Sequence, residues 1–309
     1  MTVAHAPGKV ILFGEHAVVY GQPAIAVPVA EVQASARIEA GAPGQGTIVA
    51  APDLARRIVL DQAGADDPLA RIVRLTLQRL GIVRPPDITL TIRSTVPIAR
   101  GMGSGAAVST AMVRALARHF DHWLPSRVVS DLVYQAEVLY HGTPSGIDNT
   151  VVAFEKPIFY VKEEGWEFFW VGKPFLLAVA DTGVESATKE VVADLRRRYE
   201  GDPASYWPLF DGAGRIARAA RGAIEEGQVE RLGALMDENQ ALLQDMGVSS
   251  PDLDRLVAAA REGGALGAKL SGAGWGGNAI ALVTPETRGR VDMMLRLAGA
   301  VGVIVTEIR

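Results

Sequence analysis

The chain has 309 residues, 31 basic and 35 acidic side chains for a net charge of −4, 49% hydrophobic and 21% charged residues, and no cysteine. That balance belongs to a folded chain with a substantial core and excludes intrinsic disorder and collagen-like structure. The missing cysteine excludes a disulfide scaffold, thiolate metal sites and a cysteine nucleophile, and fits a reducing compartment. A slightly acidic surface speaks against a general nucleic-acid or anionic-membrane partner. No apolar run approaches the ~20 residues of a membrane span. Lys9, Glu15 and His16 come too early for the apolar core of a signal peptide, so a cytoplasmic protein is expected. Glycine is the outlier, at 33 residues, above the usual share of about 7%.

In chain order, the first third reads as strands joined by glycine and proline turns. Val10 to Phe13 is a short apolar run, and Glu31 to Ala40 alternates as a half-buried strand should. A helix follows, with Asp67 as cap, Pro68 at its first position, a stripe of Leu69, Ile72, Val73, Leu77 and Leu80, and Gly81 as its stop. Asp87 to Ser94 alternates again as a strand. Ala106 to His119 has helical spacing, and a second helix from Ser126 carries Val129, Val133, Ala136 and Tyr140 on one face. His119 and His122 flank a helix end and read as structural. After the turn-rich loop from His141 to Gly146, the pattern to about Ala180 is strand-like. Helical stretches are expected near 187–199, 205–226, 228–245 and 251–262, with strands at 265–270, 278–283 and 301–308. Strands and helices segregate rather than alternate, which makes the class α+β. The expected division is into residues 1–170 and 171–309.

Four segments carry possible chemistry. Gly101-Met102-Gly103-Ser104-Gly105-Ala106-Ala107 is a glycine turn opening into an alanine-rich helix, the arrangement that lets backbone amides at a helix N-terminus approach an anion. A tight turn with no ligand is the alternative. Gly101, Gly103 and Ala106 also match a dinucleotide fingerprint, with Asp121 at the distance of a ribose-binding acid. That reading fails because the fingerprint should follow a strand directly, whereas Pro97 intervenes after Ser94 and Asp121 lies in a helix connection. A Walker A loop fails for lack of its terminal Lys-Ser/Thr pair.

The second segment runs from Glu137 to Asn149. Its two acids, Glu137 and Asp148, could converge across the loop, one to bind a hard cation through oxygen and the other to take or orient a hydroxyl proton. Spacing alone fits equally an acid on a solvated helix end and a turn-capping Asp. The third segment, Lys269 to Asn278, reads as a ligand edge or a hairpin turn. In the fourth, Lys9 and Gly14-Glu15-His16 lie beside a short strand, where a surface charge is the plain alternative.

Taken together, APGKVILFGEHAVVYGQPAIAV (6–27), GMGSGAA (101–107), GTPSGIDN (142–149) and KLSGAGWGG (269–277) resemble, in this order, the motifs of the GHMP small-molecule kinases. Within that superfamily, GEHAVVYGQPAIA and HGTPSGIDN are most similar to the mevalonate kinases, and Asp181 to Val184 with Thr188-Lys189-Glu190 looks like the opening of their second lobe. The resemblance implies a two-lobed fold with its active site in the cleft between the lobes. It implies ATP-dependent phosphorylation of (R)-mevalonate to 5-phosphomevalonate. ATP phosphates would bind Gly101, Met102, Gly103, Ser104, Gly105, Ala106 and Ala107. Glu137 and Ser104 would hold Mg²⁺, Asp148 would sit beside the acceptor hydroxyl, and Lys9 would lie near Asp148 and the transferred phosphoryl group. Glu15 and His16 would line the mevalonate pocket, with Ser271, Gly272 and Ala273 closing it. A homodimer is also implied, being common in such kinases.

Three positions depart from the family pattern. Gly105 stands where the loop usually has a second Ser that contacts the metal, so Ser104 or a water completes the shell. Trp275 and Asn278 replace residues that are more often small and Cys, and Trp275 is expected to narrow the entrance to the site. A related acceptor, such as phosphomevalonate or another mevalonate hydroxyl, and a non-catalytic binding protein are the remaining alternatives.

Overall fold

The computed structural model describes residues 1–141 and 145–309. Residues 142–144 of the expected acid loop, and the Tyr140 side chain of the expected helix face, lie outside the described residues. The chain forms two compact units, each assembled from three stretches.

The first unit comprises Met1–Lys9, Val32–Pro97 and Gly103–Lys156. It takes the start of β1 (Thr2–Phe13) and most of β2 (Ala24–Ala40), which pair with each other. It adds β3 (Thr47–Ala51), β4 (Arg56–Val59) and β5 (Ile88–Ser94). β2 pairs antiparallel with β5 in the register Ala34↔Ser94, and β5 runs parallel to β3. Four helices pack on one another: α1 (Pro68–Arg79), α2 (Ser104–His119), α3 (Ser126–His141) and α4 (Ile147–Phe154). Asp67 caps α1 as expected, its carboxylate accepting from the amides of Leu69 and Ala70 at 3.0 Å. On α2, Ala106, Ala107, Ala111 and Ala115 are buried, and methyl side chains of that size let neighbouring helices approach closely.

The second unit comprises Val10–Glu31, Ile98–Met102 and Pro157–Arg309. Here the first residues of β2 pair with β6 (Ile158–Val161), which pairs with β7 (Gly165–Phe168). A separate antiparallel sheet has the order β11-β8-β10-β9, from β8 (Phe175–Asp181), β9 (Gly267–Ser271), β10 (Asn278–Val283) and β11 (Gly302–Ile308). Helices α5 (Thr188–Gly201), α6 (Pro203–Glu225), α7 (Val229–Asp245), α8 (Pro251–Glu262) and α9 (Arg288–Leu297) complete it. Val191, Phe210, Leu243, Leu253, Leu270 and Val291 belong to one buried core.

Several elements differ from the sequence reading: β1 begins at Thr2 where only Val10 to Phe13 stood out, and β3 and β4 carry no clear alternation. Residues 147–154, expected as part of a strand-like stretch, form α4. Gly146 enters it at φ 86°, and Val151, Val152 and Ala153 are buried where α4 packs on α2 and α3. Packing there outweighs the weak strand preference of a β-branched pair. Helix α9 has no clear period in the sequence, because only Val291 and Leu295 of its residues are buried.

Candidate active site

In the first unit, four elements bring side chains together. Near the end of its stretch of β1, Lys9 is buried, 5% exposed, and its Nζ lies 2.9 Å from Asp148 Oδ1. Asp148 occupies the first turn of α4, not an irregular loop. Gly103 precedes α2 with φ 69° and no side chain caps this helix end. A Cβ at Gly103 would stand 2.9 Å from Lys9 Cγ and 3.6 Å from Asp148 Oδ2. Only glycine satisfies both that backbone angle and that approach. The amides that open α2 therefore begin beside the Lys9–Asp148 pair, an arrangement suited to an anion. Ala106 and Ala107 are buried, and their methyl groups add little bulk beside the loop. Glu137, on α3, is half-buried. Desolvation and then the Asp148 charge push its carboxyl up to about 8, with Lys9 opposing.

In the second unit, the expected acceptor residues also gather. Gly14 turns the chain at φ 88°, and a Cβ there would lie 2.2 Å from the Pro23 carbonyl oxygen. Glu15 follows, buried, and its Oε1 accepts from Lys269 Nζ with both side chains essentially enclosed. Lys269 also donates to the Leu270 carbonyl at 2.6 Å. His16 takes a positive φ of 60°, a conformation that a non-glycine residue holds only when its surroundings impose it. Its Nε2 lies 2.7 Å from the Ala273 carbonyl oxygen. A carbonyl only accepts, so Nε2 carries the proton. Burial lowers the His16 pKa to about 4, the Ala273 contact opposing and the Lys269 charge adding to the shift. The neutral ring therefore offers Nδ1 as an acceptor, suited to a hydroxyl more than to a carboxylate. Ser271 Oγ donates to the Ile11 carbonyl at 2.7 Å, and Gly272 at φ 95° lies beside Gly101. Met102 is buried, 1% exposed.

Sequence reasoning missed the role of Lys269. The available signal was a lysine inside a strand, GAKLS, whose other residues are small or apolar; such a charge needs a partner. The Trp275 indole Nε1 donates to the Gly247 carbonyl at 3.0 Å, and its ring packs on the second unit's core.

Among the described residues no group of three or more His, Asp or Glu side chains forms a metal cage. Mg²⁺ does not require one, since it uses one or two carboxylates together with substrate phosphates and waters. A carboxyl held near 8 by burial and a second carboxylate is the donor set that a cation would relieve, so Glu137 fits. Ser104 supplies a hydroxyl at the start of α2, whereas Gly105 supplies no side-chain oxygen.

Residues 68–156 match the family described as GHMP kinases N terminal domain, and residues 220–292 match GHMP kinases C terminal. The class is thus a GHMP kinase. Over 99% of its length the chain is 36% identical to the mevalonate kinases of Thermococcus sibiricus and Pyrococcus furiosus, covering 96% of each. It superimposes on the L. major mevalonate kinase crystallised with R-mevalonate with a TM-score of 0.86 and 30% identity, covering 100% of this chain and 96% of that one. The chain belongs to the mevalonate kinase family of GHMP kinases. A Streptococcus pneumoniae phosphomevalonate kinase shares the fold at TM-score 0.83 with 16% identity. Among the described residues no helix is long and apolar enough to cross a membrane.

Proposed function

We propose that this chain transfers the γ-phosphoryl group of ATP to the 5-hydroxyl of (R)-mevalonate. The observation that carries the reading is the Lys9–Asp148 pair, 2.9 Å apart, set against Gly103 at the uncapped start of α2. Phosphoryl transfer is achieved mainly by positioning and charge stabilisation. Backbone amides from Gly101 to Ala107 hold the phosphates. Lys9 offsets charge that builds on the transferred group. Asp148 keeps Oδ1 on Lys9 and uses Oδ2, on the Gly103 side, to orient the acceptor hydroxyl or take its proton. Glu137, with Ser104, would hold Mg²⁺, which when bound neutralises phosphate charge. On the acceptor side, His16 accepts a substrate hydroxyl at Nδ1, with Glu15, Ser271, Gly272 and Ala273 shaping that pocket.

Support for mevalonate as the acceptor comes from the full-length relatives and from the L. major neighbour, which binds R-mevalonate. Residues 1–170 and 171–309 each contain one matched family segment, whereas the compact units divide the chain differently, the second also taking residues 10–31, 98–102 and 157–170. Cytoplasmic residence and a homodimer complete the reading. A second reading, a binding protein without catalysis, is favoured by Gly105 alone; Lys9, Glu137 and Asp148 all speak against it. A coupled ADP-release assay on mevalonate, phosphomevalonate, homoserine and galactose tests the proposal. Turnover on mevalonate is expected. Turnover only on another acceptor would overturn the substrate, and no turnover on any would overturn the kinase.

A further inference from the structure

Asp181, Asn278 and Ser271 stand side by side at one end of the second unit's four-stranded sheet. Asn278 is the cross-strand partner of Asp181 on β8 and of Ser271 on β9. Residues directly opposite on antiparallel strands project to the same face, and all three hold segments from elsewhere in that unit. Asn278 Nδ2 donates to the Arg100 carbonyl. Asp181 Oδ2 lies 3.4 Å from Arg100 Nε, and Ser271 Oγ reaches the Ile11 carbonyl. Nearby, the Ser186 amide donates to the Ala99 carbonyl at 3.3 Å. Residues 99 and 100 lead directly into the glycine loop. Glycines at 101, 103 and 105 give that loop little conformational preference of its own, so what grips its leading end sets where its amides point.

We infer that Asn278 is a positioning residue for the phosphate-binding loop, acting through the Arg100 carbonyl, with Asp181 restraining the Arg100 side chain. The inference rests on the kinase reading above. Asn278 is 2% exposed, and its Oδ1 is buried with no hydrogen-bond partner among the described residues. An amide with one unpaired atom is a poor choice for stability alone. Its value lies in the donor, an amide N–H that fixes the Arg100 carbonyl.

The test is Asn278→Leu, which keeps the volume and removes the donor, with Asp181→Asn as a second variant that retains a group for the Gly183 amide. KM for ATP, KM for mevalonate, kcat, melting temperature and calorimetric affinity for a non-hydrolysable ATP analogue are measured on the full chain. Asn278→Leu should raise the ATP KM and weaken analogue binding about tenfold, leaving the mevalonate KM within about twofold; Asp181→Asn should weaken ATP binding about threefold with the same split. Unchanged nucleotide affinity with a lowered melting temperature, or an equal rise in both KM values, would overturn the inference. If Asn278→Leu does not fold, Asp181→Asn decides by the same criteria. A wild-type chain that binds the analogue without transferring phosphate would overturn the kinase reading instead, and calorimetry on the variants would still decide the role of Asn278.

Discussion

Lys269 and Glu15, 254 residues apart in sequence, form an ion pair whose side chains are 0% and 1% exposed. Removing one partner strands the other charge away from water, which destabilises a protein by about 3–5 kcal/mol. Lys269→Met should lose that much in equilibrium urea unfolding. The double variant Lys269→Met/Glu15→Leu should recover most of it. A single variant as stable as the wild type would show that the pair is not buried as described.

His16 makes acid stability a second readout. Its folded pKa of about 4 lies below the ordinary histidine value of 6.5, so between those values the unfolded chain takes up a proton that the folded chain refuses. The contribution is fully present above about pH 6.5 and is lost as pH falls through about 4, amounting to about 3 kcal/mol. His16→Gln should show a shallower acid limb than the wild type in urea midpoints across that window.

Glu137 works in the opposite direction. Its folded pKa of about 8 lies above the ordinary glutamate value of 4.5, so its contribution is present below 4.5 and lost as pH rises through about 8. A divalent cation binding the carboxylate reverses that loss. Mg²⁺ should therefore raise the melting temperature more at about pH 8.5 than at about pH 6.5. Glu137→Gln should abolish the difference. A Cβ at Gly105 meets nothing within 4 Å, so Gly105→Ser should fold normally and enlarge the Mg²⁺ increment.

Asp148→Asn should lower kcat by about 10²–10⁴ while nucleotide affinity stays within about threefold. Calorimetry with an ATP analogue beside steady-state kinetics checks it. An equal loss of nucleotide binding would place Asp148 on the phosphates instead of the acceptor.

How much was legible in the sequence depended on how local the signal was. Helix α1 could be read almost to the residue, because Asp67, Pro68 and Gly81 are start and stop signals that act within a turn. The glycine loop, Glu137 and Asp148 were visible through motif order, and 15 of the 33 glycines fall within residues 8–21, 101–105, 142–146 and 263–277. Helix α4 was not visible, since Val151 and Val152 read locally as strand and become helical by packing on α2 and α3. The Lys269–Glu15 pair and the Asn278–Arg100 contact join residues 254 and 178 positions apart, and no periodicity reports such distances. Trp275 stood out as an unusual residue, but its hydrogen bond to Gly247 follows only from the fold.

The position of the new phosphate identifies the hydroxyl that receives it. After incubation with Mg²⁺-ATP and (R)-mevalonate, the product is examined by ³¹P NMR with proton coupling. A phosphate on the 5-oxygen neighbours a methylene group, so a triplet is predicted. A singlet, placing the phosphate on the tertiary 3-oxygen, or the absence of any phosphorylated mevalonate would rule out transfer to the 5-hydroxyl.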